Sequence, residues 1–274
     1  MNKTNFLVDP KWVSEHNDVV ILEASWVLDR SKTPTELFEE EHVPNASCID
    51  LFFVNDDSEL RDVFPPRCDF CDKMNRLNLG LDGTEDVVVY DRTGVASSAS
   101  RLFSCLHHFG HRGNVYILNG GMPAWKAAGL PTAPGPAAVR PSKTYVCGPH
   151  TTDIYVDTID VKNRGETQLI DVRFEKLWKA GRIPGSLNKA GSSLLDENKC
   201  FLPADQLKAG LEGAGVDVSK DLIAYCGYGV VSSLIYPISL LLKEAGETVG
   251  KWQVYDKSIV GWKAEGNAVD SDAE

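Results

Sequence analysis

The stretch that decides the fold is LIAYCGYGVVSSL, residues 222–234. Its first four residues predict a buried strand, its two glycines predict a tight turn, and the residues from Ser232 onward predict a helix. Cys226 lies at the turn, where backbone N–H groups and the positive end of the helix favour a thiolate over a thiol. The alternative is a cysteine that only packs, as buried cysteines often do. The glycines argue against that alternative, because packing alone requires no backbone freedom.

A second copy of this stretch occurs earlier in the chain. Residues 88–98 align without a gap with residues 223–233, at an offset of 135 residues (226 minus 91). An offset of about half the chain predicts a duplicated domain, because the repeats of solenoid proteins are only roughly 20–50 residues long. Asp91 stands where the second copy has Cys226, so only the second copy keeps a possible nucleophile.

The length of 274 residues suits two domains. A proline-rich segment, residues 133–142, predicts an extended linker between a first domain at 1–132 and a second at 143–264. The acidic tail at 265–274 has few apolar side chains and is expected to be disordered.

Within each half, short apolar runs alternate with helical patterns, which predicts an α/β fold with mainly parallel sheets flanked by helices. In such sheets the reactive groups lie beyond the carboxyl ends of the strands, where Cys226 is placed. Pro237 is expected either to kink the helix at 232–245 or to lie in its first turns.

The bulk properties exclude several classes of protein. The net charge of −11 argues against general nucleic-acid binding, which needs a basic surface. No run approaches the roughly 20 apolar residues of a membrane span, and the N-terminus has no apolar signal core. We therefore expect no membrane partner and a cytoplasmic location, with mitochondria left open. Seven cysteines, an odd number at irregular spacing, favour a reducing compartment over a disulfide framework.

Further motifs carry a family resemblance. In the first half these are LEASW (22–26), HVPNA (42–46), VVYD (88–91), FGH (109–111) and NGGMPAWKAAGLP (119–131). In the second half they are IDVR (170–173), RIPGSLN (182–188), the Cys226 loop and YDKS (255–258). With these motifs the chain resembles the tandem rhodanese-domain sulfurtransferases over nearly its whole length, and the 3-mercaptopyruvate sulfurtransferases most closely.

The resemblance implies two tandem rhodanese-like domains, of which the first is catalytically silent, and a reaction that needs no cofactor and no metal. It implies that the Cys226 thiolate attacks the sulfur of a small anionic donor and becomes a persulfide. A thiol, thioredoxin or cyanide then removes the outer sulfur, in two half-reactions. The residues expected to stabilise the persulfide through backbone N–H groups are Gly227, Tyr228, Gly229, Val230, Val231 and Ser232.

The resemblance also implies cationic side chains for the donor. Arg173 is expected to hold the donor's carboxylate or sulfonate by two parallel hydrogen bonds. A salt bridge from Arg173 to Asp171 or Glu175 is the alternative. Lys179 and Arg182 are further candidate donor-binding cations.

The chain departs from both substrate signatures of the family. Tyr228 replaces the serine of a Cys-Ser-Asp proton relay, Val231 replaces a threonine, and the relay aspartate and a family histidine fall at Phe52 and near Val63. Thiosulfate enzymes usually have a basic loop, whereas this loop is neutral. Mercaptopyruvate is therefore the favoured donor, with thiosulfate as the other. A low-turnover persulfide carrier or sulfide sensor, and a non-catalytic scaffold, are the alternative functions.

Three other signals are set aside. Cysteine phosphatases need Cys-x5-Arg, and Ser232 stands at the arginine position. Cys68 and Cys71 form a Cys-x-x-Cys pair, but zinc would need a second pair, and packing or surface cysteines are favoured over a redox pair. The histidines at 107, 108 and 111 are read as a polar helix end rather than a metal site.

Overall fold

The computed structural model describes residues 5–27, 31–51, 67–149 and 152–272, with the backbone alone at 67 and 68. The strands of the first half are β1 (Leu7–Val8), β2 (Val20–Ser25), β3 (Ser47–Asp50), β4 (Val87–Tyr90) and β5 (Val115–Leu118). Its helices in these ranges are α1 (Pro10–Glu15), α2 (Pro34–Glu40), α3 (Arg67–Leu77), α4 (Ser97–His108) and α5 (Gly121–Ala127).

The second half has the same kinds of element. Its strands are β6 (Tyr155–Val156), β7 (Gln168–Asp171), β8 (Leu187–Asn188), β9 (Leu222–Tyr225) and β10 (Trp252–Tyr255). Its helices are α6 (Thr158–Lys162), α7 (Glu175–Ala180), α8 (Ala204–Glu212), α9 (Ile235–Glu244) and α10 (Ser258–Ala264), with 3₁₀ turns at Gly191–Leu194 and Val231–Leu234. None of the helices in the described ranges is long and apolar enough to cross a membrane.

The two sheets have equivalent topology. Their strand orders are β1-β5-β4-β2-β3 and β6-β10-β9-β7-β8, and the paired strands run parallel throughout. The two orders differ only by five in strand number, as a duplication requires. The predicted α/β class with two tandem parallel sheets is confirmed.

Equivalent buried tyrosines repeat the duplication at the level of side chains. The Tyr90 hydroxyl accepts a hydrogen bond from the Val43 N–H at 3.2 Å. The Tyr225 hydroxyl accepts one from the Ile183 N–H at 3.1 Å. Each bond ties the end of a central strand to the loop before the sheet's edge strand. The two motifs quoted for the resemblance, HVPNA and RIPGSLN, therefore occupy equivalent places.

One hydrophobic core crosses both halves. Inner-face residues of the first sheet, such as Leu22 and Val89, and of the second, such as Ile170 and Ala224, belong to a single buried cluster. Two smaller clusters cover the outer faces of the sheets and contain Trp125 and Trp262 respectively, both nearly buried as the sequence predicts. The halves are therefore joined by apolar packing as well as by the chain.

The helix after the Cys226 loop begins in two steps. The 3₁₀ turn Val231–Leu234 leads directly into α9, and Pro237 lies in the first turn of α9. A missing N–H breaks no helical hydrogen bond there. The structure therefore selects the second of the two expectations for Pro237.

The segment between the sheets runs along the first half. Ala133 pairs with His42, and the Arg140 guanidinium donates to the Ser47 hydroxyl at 2.6 Å. The Tyr145 N–H donates to Asn75 at 2.6 Å. Residues 143–148, counted with the second domain in the sequence analysis, thus contact the first half of the molecule.

Cys71 and Cys147 form a disulfide, with Cα atoms 6.2 Å apart and a sequence separation of 76. The expectation that the cysteines remain unpaired thiols is wrong for these two. Irregular spacing did not reveal the pair, because the linker brings Cys147 back to α3 only in the folded chain. Cys71 consequently does not pair with Cys68.

The acidic tail is ordered as far as Asp272, so the expected disorder is wrong over this stretch. The Trp262 indole N–H donates to the Ala268 carbonyl at 2.7 Å. The backbones of Asp270 and Arg182 exchange two hydrogen bonds of 2.8 and 2.9 Å. The Asp272 carboxylate also lies 2.7 Å from the Arg182 guanidinium. These contacts compensate for the low apolar content that predicted disorder.

Candidate active site

Cys226 follows β9 at the carboxyl edge of the second sheet and is 3% exposed. Its Sγ lies 3.6 Å from the Ser232 hydroxyl and 4.0 Å from the Ser258 hydroxyl. Its backbone N–H donates to the Ser258 Oγ at 3.1 Å. Hydroxyl groups can donate to sulfur, so two potential donors from different elements converge on the one thiol.

The loop after Cys226 has the backbone freedom expected from its glycines. Gly229 has φ of +80°, and a Cβ added there would overlap the carbonyl oxygen of Asp256. A Cβ added at Gly227 would meet no atom within 4 Å. The N–H groups of Gly227, Gly229 and Val230 make no hydrogen bond within the described ranges. They remain available to an anion bound beside the thiol.

Ser258 is a site residue that the sequence analysis did not single out. It begins α10, directly after β10, and its hydroxyl can also donate to the Tyr255 carbonyl at 3.0 Å. Strand β10 neighbours β9 in the sheet, which is why a residue 32 positions later in sequence reaches Cys226. The sequence signal for Ser258 is the YDKS motif (255–258), of which it is the last residue.

Arg173 lies at the same edge of the sheet, after β7. Its guanidinium is ion-paired with Asp171, with Nη2 2.6 Å from Oδ2, and Nη2 also donates to the Gly181 carbonyl at 2.7 Å. Burial opposes the charge, but the Asp171 carboxylate outweighs it and raises the pKa of Arg173. The alternative salt bridge to Asp171 is therefore present. The Nη1 group makes no hydrogen bond within the described residues.

The other two candidate cations are also paired with carboxylates. Lys179 lies 2.7 Å from Glu175 on the exposed side of α7. Arg182 pairs with Asp272 and stacks over the Trp178 ring at 4.2 Å. In the described part of the chain, neither makes a hydrogen bond or ion pair with Cys226 or its loop. Arg173 lies at the same edge of the sheet as Cys226, but within the described residues its hydrogen bonds and its ion pair also go to other groups, Asp171 and Gly181.

The departures from the family pattern fall in two places. Tyr228 and Val231 are half-buried in the loop, and Val231 packs beside Gly191. Phe52 and Val63, where the resemblance puts the relay aspartate and a histidine, lie outside the described residues.

Three other free cysteines are chemically unlike a nucleophile. Burial, with the charge of Glu23, raises the pKa of Cys48 to about 12. Burial raises the pKa of Cys105, and burial with the nearby Asp196 raises that of Cys200. These thiols stay protonated at neutral pH, which disfavours attack on sulfur.

In the equivalent loop of the first half, the Asp91 carboxylate accepts hydrogen bonds from groups of the same loop. Asp91 is 2% exposed and accepts hydrogen bonds from the Thr93 hydroxyl at 3.0 Å and the Gly94 N–H at 2.5 Å. Burial raises the pKa of Asp91. A carboxylate occupies the place where Cys226 stands in the second half.

The histidines considered as a metal site bind protein atoms instead. His107 contacts the Tyr236 hydroxyl at 3.0 Å, and His108 contacts the Thr152 carbonyl at 3.0 Å. His111 lies between the Tyr145 hydroxyl and the Glu85 carbonyl. Their role is to join segments of the fold.

Comparison with known proteins agrees with this geometry. The sequence matches the rhodanese-like domain family twice, at residues 10–128 and 157–265. It is 30% identical over 236 residues to the probable 3-mercaptopyruvate sulfurtransferase of Pseudomonas aeruginosa, covering 78% of this chain and 80% of that protein. It is 29% identical to thiosulfate/3-mercaptopyruvate sulfurtransferase 1, mitochondrial, of Arabidopsis thaliana, covering 90% and 72%.

A solved structure gives the same result. SseA from Escherichia coli, described as a 3-mercaptopyruvate sulfotransferase with the rhodanese fold, superposes with a TM-score of 0.81 at 25% identity, covering 92% of this chain and 98% of SseA. The chain therefore belongs to the rhodanese-like domain family, with two tandem domains. Within that family it is an enzyme of the sulfurtransferase class.

Proposed function

We propose that Cys226 takes a sulfane sulfur from a small anionic donor, holds it as a persulfide, and passes it to a thiol, thioredoxin or cyanide. The observation that carries the proposal is the setting of the thiol. Cys226 has two serine hydroxyls within 4.0 Å and stands in a loop where the N–H groups of Gly227, Gly229 and Val230 make no hydrogen bond within the described residues. That arrangement suits a sulfur atom that becomes negatively charged during the reaction.

The chemistry balances without a cofactor. The Cys226 thiolate attacks the sulfur of the donor, and the bond between that sulfur and the rest of the donor breaks. With mercaptopyruvate, the electron pair of the carbon–sulfur bond goes to carbon, and uptake of a proton yields pyruvate. An acceptor thiolate then attacks the outer sulfur of the persulfide and releases Cys226 as thiolate.

Mercaptopyruvate is the donor we favour, with thiosulfate second. A doubly charged donor would gain more from a basic loop than a monocarboxylate, and the Gly227-Tyr228 pair is neutral. The Nη1 edge of Arg173 supports binding of one carboxylate, because the other edge is committed to Asp171. The relatives' names include both donors.

A low-turnover persulfide carrier or sulfide sensor is the second candidate. It is favoured by Tyr228, which stands where the resemblance expects a relay serine. A tyrosine hydroxyl has a different reach from a serine hydroxyl, so proton transfer through that relay would be slower. Steady-state turnover separates the two functions, since a carrier forms the persulfide but releases product slowly.

Intact-protein mass spectrometry tests the proposal. After incubation with mercaptopyruvate, the wild-type protein should gain the mass of one sulfur atom, and a reductant should remove it. Cys226→Ser should gain none, whereas the control Cys200→Ser should behave as wild type, because the Cys200 thiol stays protonated. Equal uptake by wild type and Cys226→Ser would sink the assignment. More efficient use of thiosulfate, by kcat/KM at matched pH and ionic strength, would reverse the order of donors.

A further inference from the structure

Arg101 is a buried charge that crosses between the two halves. It lies in α4 of the first half, is 1% exposed, and reaches the second half through its guanidinium. Its Nη1 donates to Asp256 Oδ1 at 2.5 Å and lies 3.3 Å from the Gly229 carbonyl. A fully buried arginine is rare unless it is paired, so the guanidinium needs these contacts to remain buried.

Both partners of Arg101 belong to the frame around Cys226. Gly229 is the positive-φ residue of the loop, three positions after the cysteine. Asp256 directly follows β10 and leads to Ser258, whose hydroxyl accepts a hydrogen bond from the Cys226 N–H. Arg101 thus holds the loop and the segment after β10 at once, from a domain that carries no nucleophile.

Side chains from both halves hold the Gly229 carbonyl. Besides Arg101, the Ser233 hydroxyl donates to it at 2.9 Å, and the Ser232 hydroxyl, 3.1 Å away, can donate either to it or to the Cys226 sulfur. In a planar trans peptide the carbonyl and the following N–H point in opposite directions. Fixing the Gly229 carbonyl therefore also fixes the direction of the Val230 N–H, which makes no hydrogen bond in the described residues.

We propose that Arg101 of the non-catalytic half is a positioning residue that sets the orientation of the Cys226 loop for persulfide formation. The proposal rests on the function proposed above. A glycine peptide can rotate at low cost, since glycine populates positive and negative φ about equally. Arg101 and Ser233 donating to that carbonyl oppose the rotation and keep the Val230 N–H preorganised.

The role is orientation rather than supply of positive charge. Asp256 neutralises Arg101 at short range, and the Tyr155 ring covers the guanidinium at 5.2 Å. The pair as a whole adds little net field at the sulfur. Loss of Arg101 should therefore affect the rate of sulfur transfer to the thiol more than the affinity for an anionic donor.

Two variants test the role. Arg101→Lys keeps the charge for Asp256, but one ammonium lacks the planar reach to hold both acceptors. Arg101→Met with Asp256→Leu removes both charges, so no unpaired ion stays buried. Displacement of a reacting group by about 1 Å can cost about 100-fold, so we expect both variants to form the persulfide about 10–100-fold more slowly, with donor KM changed less than about threefold.

The matched control is Arg92→Lys. Arg92 also forms an ion pair with a buried carboxylate, Glu23 at 2.9 Å, but it lies in the first half and, within the described residues, makes no hydrogen bond or ion pair with the Cys226 loop. Arg92→Lys and Arg101→Lys should lower the melting temperature by similar amounts. Single-turnover rates, measured well below both melting temperatures, should fall only for Arg101→Lys.

The outcomes separate the two proposals. Wild-type protein that takes up no sulfur at Cys226 would overturn the proposed function and this inference together. Sulfur uptake by the wild type, with wild-type rates in both Arg101→Lys and the double variant, would overturn the inference alone. A slow rate with unchanged KM in the Arg101 variants, and a normal rate in Arg92→Lys, would support it.

Discussion

At the scale of single residues, Arg173 faces two demands. Its ion pair with the fully buried Asp171 is structural. Its Nη1 group makes no hydrogen bond within the described residues and can bind a sulfur donor. Arg173→Ala should therefore lower the melting temperature, because an unpaired buried carboxylate costs about 3–5 kcal/mol. It should also lower kcat/KM by about 10–150-fold, mainly through KM, as expected for loss of a charge-assisted hydrogen bond.

A double variant separates these two effects. Arg173→Met with Asp171→Asn removes the unpaired charge and should recover most of the melting temperature, but the raised KM for mercaptopyruvate should remain. Recovery of wild-type kcat/KM in the double variant would mean that Arg173 acts only through the salt bridge.

Residues of the site were predictable in proportion to how local their signal is. Cys226 and Gly229 could be predicted as site residues because one stretch of sequence contains a strand, a turn and a helix start. Ser258 and Arg101 could not, because Ser258 reaches Cys226 from a neighbouring strand and Arg101 reaches the Cys226 loop from the other half of the molecule. No pattern in a single sequence records such contacts before the sheet order and domain packing are known.

At the scale of elements, the joint between α4 and α9 contains a titratable group. His107 of α4 binds the Tyr236 hydroxyl of α9 at 3.0 Å. Burial, aided by the charge of His111, lowers the pKa of His107 from 6.5 to about 4. Below pH 6.5 His107 binds a proton in the unfolded chain but stays neutral in the folded chain. The free energy of unfolding therefore falls as the pH drops from 6.5 towards 4.

The expected loss from this one histidine is up to about 3 kcal/mol at the acid end of that window. Urea midpoints at pH 7.5 and pH 4.5 would measure it. His107→Gln keeps a polar partner for Tyr236 but does not titrate, so its midpoint should fall less between the two pH values. An identical fall in the two proteins would rule out His107 as the source.

Regular elements were easier to predict than the segments that join them. Strand β9 has the bounds that its apolar run predicts, residues 222–225, because buried parallel strands are nearly continuous in hydrophobicity. The tail was misjudged because its order comes from backbone pairing with Arg182 rather than from apolar burial. The Cys71–Cys147 disulfide was missed because the path of the linker is not encoded locally.

At the scale of the whole molecule, the shared core predicts a single unfolding transition. One buried cluster contains inner-face residues of both sheets, and α4 packs against the turn at 231–234 and against α9. Splitting the chain would expose that surface on both parts. Calorimetry of the full chain should therefore show one cooperative transition, with calorimetric and van't Hoff enthalpies in agreement.

Expression of residues 1–149 and 150–274 as separate chains is the complementary measurement. Each fragment should be poorly soluble alone and gain solubility when the two are produced together. Two resolved thermal transitions in the full chain, or a soluble and cooperatively folded fragment, would contradict the account of one core.

The same core has a consequence for how the protein is made. The first half is complete when residue 149 has been added, yet its face against α9 stays bare until the second half follows, a delay of roughly 6–25 s for the remaining residues at about 5–20 residues per second. The second half, synthesised later, meets a partner surface that is already present on the chain. The risk of aggregation during biosynthesis therefore falls on the half that has no nucleophile.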